Sequence, residues 1–273
     1  MPSSTTHRLP RFAAAVLAAL VLGSSGFATV PAVAAPAVAP ATGPATAAAA
    51  TRFRLDLARP GDFVAQANFV QCVGASMQMM LNISGPNDRT AATQRRLQGL
   101  ARNLSGPTRA GFERKGASVR GWSAGLNELG AGPYRLVGVT KIDEAMRLAA
   151  TAIRTTGKPV GLLVWAGRHA WVMSGFEATA DPARTSRFQV TRAIVMDPLY
   201  PYGSTKWGRS PRPREAITTA TLGKQFVPRR RGTWAGAVTG TESAATMNAL
   251  AGRYVLVLPF QPIAASRLSS VAS

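Results

Sequence analysis

Cysteine and histidine are almost absent from this chain of 273 residues, which contains one cysteine and two histidines. A single cysteine excludes an intramolecular disulfide framework and any structural zinc site built from cysteine pairs. With so few thiol and imidazole ligands, we expect neither a metal nor another cofactor. Acidic residues are also scarce, with 12 Asp and Glu against 32 Lys and Arg, which gives a formal charge of +20.

The basic excess has several interpretations: nucleic acid, an anionic cell surface, or no particular partner. The arginines are scattered apart from residues 229–231, and no helix-turn-helix, zinc-finger or RNA-binding motif accompanies them. We therefore expect no specific nucleic acid. A solvated basic face is the simpler interpretation, and association with an anionic cell surface is the alternative.

A long apolar run is also missing. The run at residues 12–22 follows a positively charged start and precedes small residues, and it is too short to span a bilayer. Residues 1–35 therefore predict a Sec-type secretory signal peptide, with an uncleaved membrane anchor as the alternative. We expect a secreted protein, extracellular or associated with the cell wall, without a stable membrane span after cleavage.

The remaining chain divides by composition. Residues 36–51 are rich in Ala and Pro, which indicates a disordered linker or pro-segment. Residues 52–262 are predicted to form one folded domain, and residues 263–273 a flexible tail.

The single cysteine, Cys72, precedes a segment that is apolar on nearly every side. Residues 73–83 predict a buried helix with Cys72 at its N-terminus. The positive end of the helix dipole stabilises a thiolate there. Secreted proteins usually pair their cysteines, so an unpaired one needs a reason. A small buried structural residue and a reactive nucleophile both remain open.

Once a leader containing His7 is removed, His169 is the only histidine. Residues 160–165 and 169–176 predict a hairpin with a Gly-containing turn, and His169 begins the second strand. We expect it at the rim of the hairpin rather than in the core. A lone histidine is more often a packing or surface residue. However, a nucleophilic cysteine needs a base within hydrogen-bond reach, and His169 is the only imidazole available.

A third group is needed to orient that imidazole. The predicted strand at residues 188–196 ends in Asp197, which precedes Pro198. Asp197 is therefore a candidate for this role, although Asp followed by Pro is also a common turn. Asp181 is a competitor, and its polar surroundings predict a loop tip.

The other segments predict an α+β fold, with helices first and strands later. Thr140 to Asp143 resembles a capping box for a helix that ends at Gly157. Residues 200–221 predict a long loop beside the site. The remaining predicted elements are helices at residues 87–102 and 122–129 and strands at residues 134–139 and 254–259.

The order of Gln66, Cys72, His169 and Asp197 resembles papain-like cysteine peptidases, most closely their bacterial C39-like branch. Gln66 stands six residues before Cys72, the spacing of the family's oxyanion-hole glutamine. The strand that begins at His169 reaches Gly plus an aromatic residue, and Asp197-Pro resembles the C39-like strand end. In a departure from the family, Val-Gly replaces the commoner Gly-Pro after the cysteine.

This resemblance implies a papain-like fold, with a helical lobe that carries the nucleophile packed on an antiparallel sheet. It implies hydrolysis of peptide bonds in a peptide or protein substrate by a Cys72–His169–Asp197 triad through an acyl-enzyme, with Gln66 as an oxyanion donor. Two alternatives remain: a catalytically inactive papain-like protein that binds a surface, and a cell-wall peptide amidase or acyltransferase.

Overall fold

The computed structural model describes residues 53–106, 115–230 and 249–261. The predicted leader (1–35), linker (36–51) and tail (263–273) lie outside these residues. Within the described part of the chain, no helix is long and apolar enough to cross a membrane.

An antiparallel sheet forms the centre of the fold. The strands are β1 (Phe53–Asp56), β2 (Tyr134–Val139), β3 (Val160–Val164), β4 (His169–Ala178), β5 (Val190–Met196), β6 (Gly203–Ser204), β7 (Gly208–Arg209), β8 (Glu215–Thr218) and β9 (Tyr254–Pro259). The main sheet has the order β2-β9-β3-β4-β5-β8, and β1 pairs with β4 off this path. Strands β6 and β7 form a separate two-stranded ribbon.

Helices cover both faces of this sheet. They are α1 (Cys72–Ser84), α2 (Ala91–Asn103), α3 (Val119–Glu128), α4 (Ile142–Thr156) and α5 (Thr219–Gly223). One apolar cluster joins α1, α2 and α3 to the sheet, and a second joins α4 and α5 to the opposite face. Strand β3 is buried along its whole length, as expected for a strand covered on both faces.

The predicted α+β class is therefore confirmed, together with the antiparallel sheet. The strands at residues 134–139 and 254–259 have the predicted bounds. The predicted helix at residues 87–102 begins later, at Ala91, because the Thr90 side chain caps it by accepting the Thr93 N–H.

Two local predictions were wrong. The capping box expected from Thr140 to Asp143 does not form, because α4 begins one residue later with Lys141 as an N-cap that makes no side-chain capping bond. Residues 200–221 are not one long loop, because they contain the β6–β7 ribbon, β8 and α5. These elements are too short to show a periodic apolar pattern, and Ile217 is the one buried residue of β8.

Helix α1 is held at its N-terminus by its neighbour α2. Its N-cap residue, Gln71, makes no side-chain capping bond. Instead, the Gly74 N–H donates to the side-chain oxygen of Gln98 at 2.9 Å. A Cβ added at Gly74 would lie 2.9 Å from the carbonyl oxygen of Gln94. The close approach of the two helices therefore requires glycine at this position.

We expect Gly74→Ala to lower the free energy of unfolding by about 1–3 kcal/mol, since the added methyl group must displace α2. Gly99→Ala is the matched control, because Gly99 is also helical and has no atom within 4 Å of an added Cβ. That control should stabilise the protein by about 0.5–1 kcal/mol. Chemical denaturation measures both, and equal stabilisation by the two variants would contradict the close packing of α1 on α2.

Candidate active site

The pairing of β4 with β5 brings His169 and Asp197 together. Val172 lies opposite Met196, so continuing the register by one residue sets Asp197 opposite Trp171. Side chains two apart on a strand share a face, and His169 is therefore a diagonal neighbour of Asp197. The distance from His169 Nε2 to Asp197 Oδ1 is 2.6 Å.

The carboxylate of Asp197 is fixed and fully buried. Its Oδ1 also accepts the backbone N–H of Leu199 at 2.8 Å. This second bond holds the carboxylate in the turn that follows β5. The imidazole therefore meets an acceptor whose position the backbone determines.

His169 begins β4 as predicted, but it is not an exposed rim residue. Only 4% of it is exposed, because the indole of Trp165 stacks on the ring with centroids 4.2 Å apart. The expectation of a rim position was wrong, since it considered the hairpin without the residues that fold over it.

Cys72 begins α1 and is partly exposed. One turn further along the helix, the Ser76 hydroxyl donates to the Ala170 carbonyl oxygen at 3.2 Å. Residues four apart lie on the same side of a helix, so this bond sets Cys72 at the level of His169. The thiol lies close enough to the imidazole to raise the pKa of His169. Because Nε2 bonds Asp197, Nδ1 is the ring nitrogen left for the thiol.

The electrostatics of the site favour a charged imidazole. Burial alone would lower the pKa of His169, since it disfavours the charged form. Hydrogen bonds with Asp197 and Cys72, and the charges of both partners, outweigh burial and raise the pKa to about 9. At neutral pH His169 is therefore held as an imidazolium.

Gln66 lies beside the end of β5. Its backbone N–H donates to the Pro198 carbonyl oxygen at 2.7 Å, and its side-chain Nε2 donates to the Asn68 carbonyl oxygen at 2.8 Å. A carboxamide nitrogen carries two protons, so one N–H of Gln66 is left for another acceptor. Gln66 is thus tied to the segment that carries Asp197, while its role as an oxyanion donor stays a prediction.

Trp165 and Gln225 are site residues that the sequence did not indicate. Trp165 was expected to end a strand, but it begins a turn in which Trp165, Ala166 and Gly167 have φ of 56°, 57° and 97°. Gln225 holds this turn, because its backbone oxygen accepts the Trp165 N–H at 2.8 Å and its side-chain oxygen accepts the indole N–H at 2.9 Å. The glycine was the only local signal of the turn, and nothing in the sequence connects the two residues.

The competing carboxylate, Asp181, is at the other end of β4, beyond Ala178. It forms a two-pronged ion pair with Arg154, at 2.9 and 3.0 Å. Among the residues that the structure describes, no cluster of three or more His, Cys, Asp or Glu side chains could hold a metal ion.

No protein-family model matches this sequence, and none of the curated proteins matches it significantly. The chemistry of the site must therefore follow from its own atoms. A thiol at a helix N-terminus, a charged imidazole and a buried carboxylate stand in series, and this arrangement suits nucleophilic catalysis by the thiol.

We expect His169 to titrate at about pH 9. Replacing the second histidine, as in His7→Gln, leaves a single imidazole signal, which NMR can follow against pH. The same shift predicts a loss of stability in alkali. An unfolded histidine loses its proton near pH 6.5, whereas the folded one keeps it up to about 9, so the free energy of unfolding should fall across this interval by roughly 3 kcal/mol.

Comparing the free energy of unfolding of the parent and of His169→Gln at pH 6 and pH 9.5 isolates the contribution of the charged imidazole to stability. It should be present at pH 6, where both states are protonated, and lost at the higher pH. A His169 signal that titrates at or below pH 6.5 would contradict the charged imidazole.

We expect Trp165→Ala to expose the bond between His169 and Asp197 to water. In the parent, the Nε2 proton should give a proton resonance far downfield that exchanges slowly, because Trp165 covers the ring. The alanine variant should lose this resonance, whereas Trp165→Phe, which preserves an aromatic stack, should retain it. Trp207→Ala is the control for loss of a tryptophan elsewhere. Persistence of the resonance in Trp165→Ala would show that another group shields the bond.

Proposed function

We propose that this protein is a secreted, papain-like thiol hydrolase that cleaves peptide bonds with Cys72 as the nucleophile. The observation that carries the proposal is the buried bond of 2.6 Å between His169 and Asp197, with the Cys72 thiol against the same imidazole. An isolated structural cysteine needs neither a histidine partner nor a carboxylate to orient that partner. The order of the three groups is the one that thiol catalysis requires.

The reaction begins with the thiol proton on His169. The Cys72 thiolate attacks the carbonyl carbon of the scissile amide, and the electron pair of the C=O bond moves to oxygen. When this oxyanion collapses, the C–N bond breaks and the imidazolium gives its proton to the departing amine. Water, deprotonated by the neutral imidazole, then attacks the thioester, releases the acid and returns the enzyme to its first state.

Asp197 has a positioning and electrostatic role in these steps. Its Oδ1 accepts from Nε2, so Nδ1 faces the thiol in every protonation state of the ring. Its negative charge stabilises the imidazolium that exists before attack and again during deacylation. The Leu199 N–H prevents the carboxylate from turning away when the ring becomes neutral.

The oxyanion would be stabilised at the N-terminus of α1. Within the described residues, no protein acceptor faces the backbone N–H of Cys72, as expected in the first turn of a helix. The remaining N–H of Gln66 is the second candidate donor. Each such donor contributes typically about 3 kcal/mol to the transition state.

The substrate is proposed to be a peptide or protein outside the cell. The leader expected at residues 1–35 favours export, and the remaining chain has a formal charge of +18 without Arg8 and Arg11, which favours contact with an anionic cell surface. This charge also supports a second candidate substrate, the peptide amides of the cell wall, which the same chemistry would cleave.

We expect Cys72→Ala to abolish hydrolysis and Asp197→Asn to lower both kcat and the pKa of His169, because the amide oxygen can still accept from Nε2 but no longer supplies the negative charge that stabilises the imidazolium. Asp181→Asn is the matched control, since Asp181 pairs with Arg154 at the other end of β4. Release of peptides from casein and of stem peptides from purified cell wall measures the activity and distinguishes the two substrates. Circular dichroism checks that each variant is folded.

Reactivity of the thiol tests the proposal without a substrate. Cys72 should react with iodoacetamide at pH 6 faster than free cysteine, because His169 and the start of α1 stabilise the thiolate. A rate no higher than that of free cysteine, or hydrolysis that survives in Cys72→Ala, would refute this mechanism.

A further inference from the structure

A cavity of about 380 Å³ lies beside the site, between the chain that follows β5 and the segments around β7, β8 and α5. Tyr200, Arg209, Arg212 and Gln225 are among the residues that line it. Its volume is large enough to hold a side chain or a chain terminus.

Two contacts connect this cavity to the site. The Gln225 side chain lines the cavity and also accepts the Trp165 indole N–H at 2.9 Å, and Trp165 stacks on His169. On the other side, the Tyr200 backbone N–H donates to the Asp197 carbonyl oxygen at 3.0 Å. The cavity is therefore linked through Gln225 to Trp165, which covers the imidazole, and through Tyr200 to the backbone of Asp197.

Because the cavity lies on the His169 side of the site, its position decides which part of a substrate could reach it. The acyl part of the substrate becomes bonded to Cys72, whereas the departing amine must approach the imidazole to receive its proton. The fragment that leaves with the amine therefore extends toward the His169 side.

The cavity lining favours an anion. In the part of the chain that the structure describes, neither Arg209 nor Arg212 has an ion-pair partner. Among the described residues, Glu215 is the one acidic side chain that lines the cavity, and its carboxylate already accepts the Arg212 backbone N–H at 2.7 Å. Between the two arginines, the Ser210 hydroxyl is buried without a hydrogen-bond partner within the described residues. Two cations and one unused hydroxyl match the requirements of a carboxylate.

We propose that this cavity binds a carboxylate on the departing fragment of the substrate, so that the enzyme prefers bonds followed closely by an acidic side chain or by the chain's own C-terminus. The inference rests on the proposed peptidase function, because that function defines which fragment departs. Arg209, Arg212 and Ser210 are the residues that would select it.

The Cys72→Ala protein allows binding to be measured without turnover. The probes are the tripeptide Ala-Ala-Ala with a free C-terminal carboxylate, its C-terminal amide, and Ala-Glu-Ala-amide. NMR titration gives the Kd of each, and the indole N–H resonance of Trp165 reports whether the cavity is occupied. We expect one or both carboxylate probes to bind at least about 10-fold tighter than Ala-Ala-Ala-amide and to shift that resonance.

The variants Arg209→Gln and Arg212→Gln should each weaken the carboxylate probe about 10-fold and leave the amide unchanged. Arg187→Gln removes the same charge from the exposed connection between β4 and β5 and should have no effect. Tight binding of Ala-Ala-Ala alone assigns the cavity to a chain terminus, and tight binding of Ala-Glu-Ala-amide assigns it to an acidic side chain.

Equal binding of all three probes, or no detectable binding of any, would overturn the proposal, as would indifference to both arginine substitutions. These results are independent of the hydrolysis assays. Casein could be cleaved by an enzyme whose cavity ignores carboxylates, and the carboxylate could bind to a protein that does not cleave casein.

Discussion

The register between β4 and β5 is the constraint on which the site depends. A slip of one residue would turn Asp197 to the opposite face of the sheet and separate it from His169. The register is not uniform, because a bulge interrupts it between Met173 and Gly175. Met173 and Phe176, three residues apart, could not face the same side of a regular strand, yet both belong to the apolar cluster beneath α4. Because of the bulge, the part of β4 that follows it can bury Phe176 in this cluster while His169, at the start of β4, contacts Asp197.

Strand β1 adds a second reason for this local geometry. A Cβ at Gly175 would lie 2.1 Å from the carbonyl oxygen of Leu55, so only glycine allows β1 to pair there. The Ser174 hydroxyl, beside the bulge, donates to the Asp56 carboxylate at 2.9 Å. The Gly-aromatic ending of the strand, which supported the family resemblance, thus has a physical explanation in the packing of β1. It is a requirement of the fold and is not itself evidence for catalysis.

The sequence predicted those parts of the site that depend on local patterns. Cys72 precedes an apolar helix, His169 follows a glycine turn, and Asp197 ends an apolar strand, so each position could be inferred from its neighbours. Because the sequence has one cysteine and, beyond the predicted leader, one histidine, Cys72 and His169 were the only candidates for a thiol–imidazole pair. What remained hidden depends on contacts between distant segments. The burial of His169 depends on Trp165, whose indole is held by Gln225, 60 residues later in the sequence. The position of α4 on the face of the sheet opposite α1 follows only from the burial of β3 on both of its faces.

Gln225 connects the cavity beside β7 and β8 with the cover of His169, because the oxygen and the nitrogen of its side-chain amide bond different segments. Its side-chain oxygen holds the Trp165 indole over His169, while its nitrogen donates to the Arg209 carbonyl oxygen at 3.1 Å. A carboxylate drawn to Arg209 would therefore act on the same residue whose backbone anchors this amide. Because the amide also fixes the aromatic cover of the imidazole, Gln225 is the route by which the proposed occupation of the cavity would affect shielding of the bond between His169 and Asp197. In the proposed mechanism, Gln225 would therefore connect selection of the departing fragment with the position of the imidazolium that protonates it.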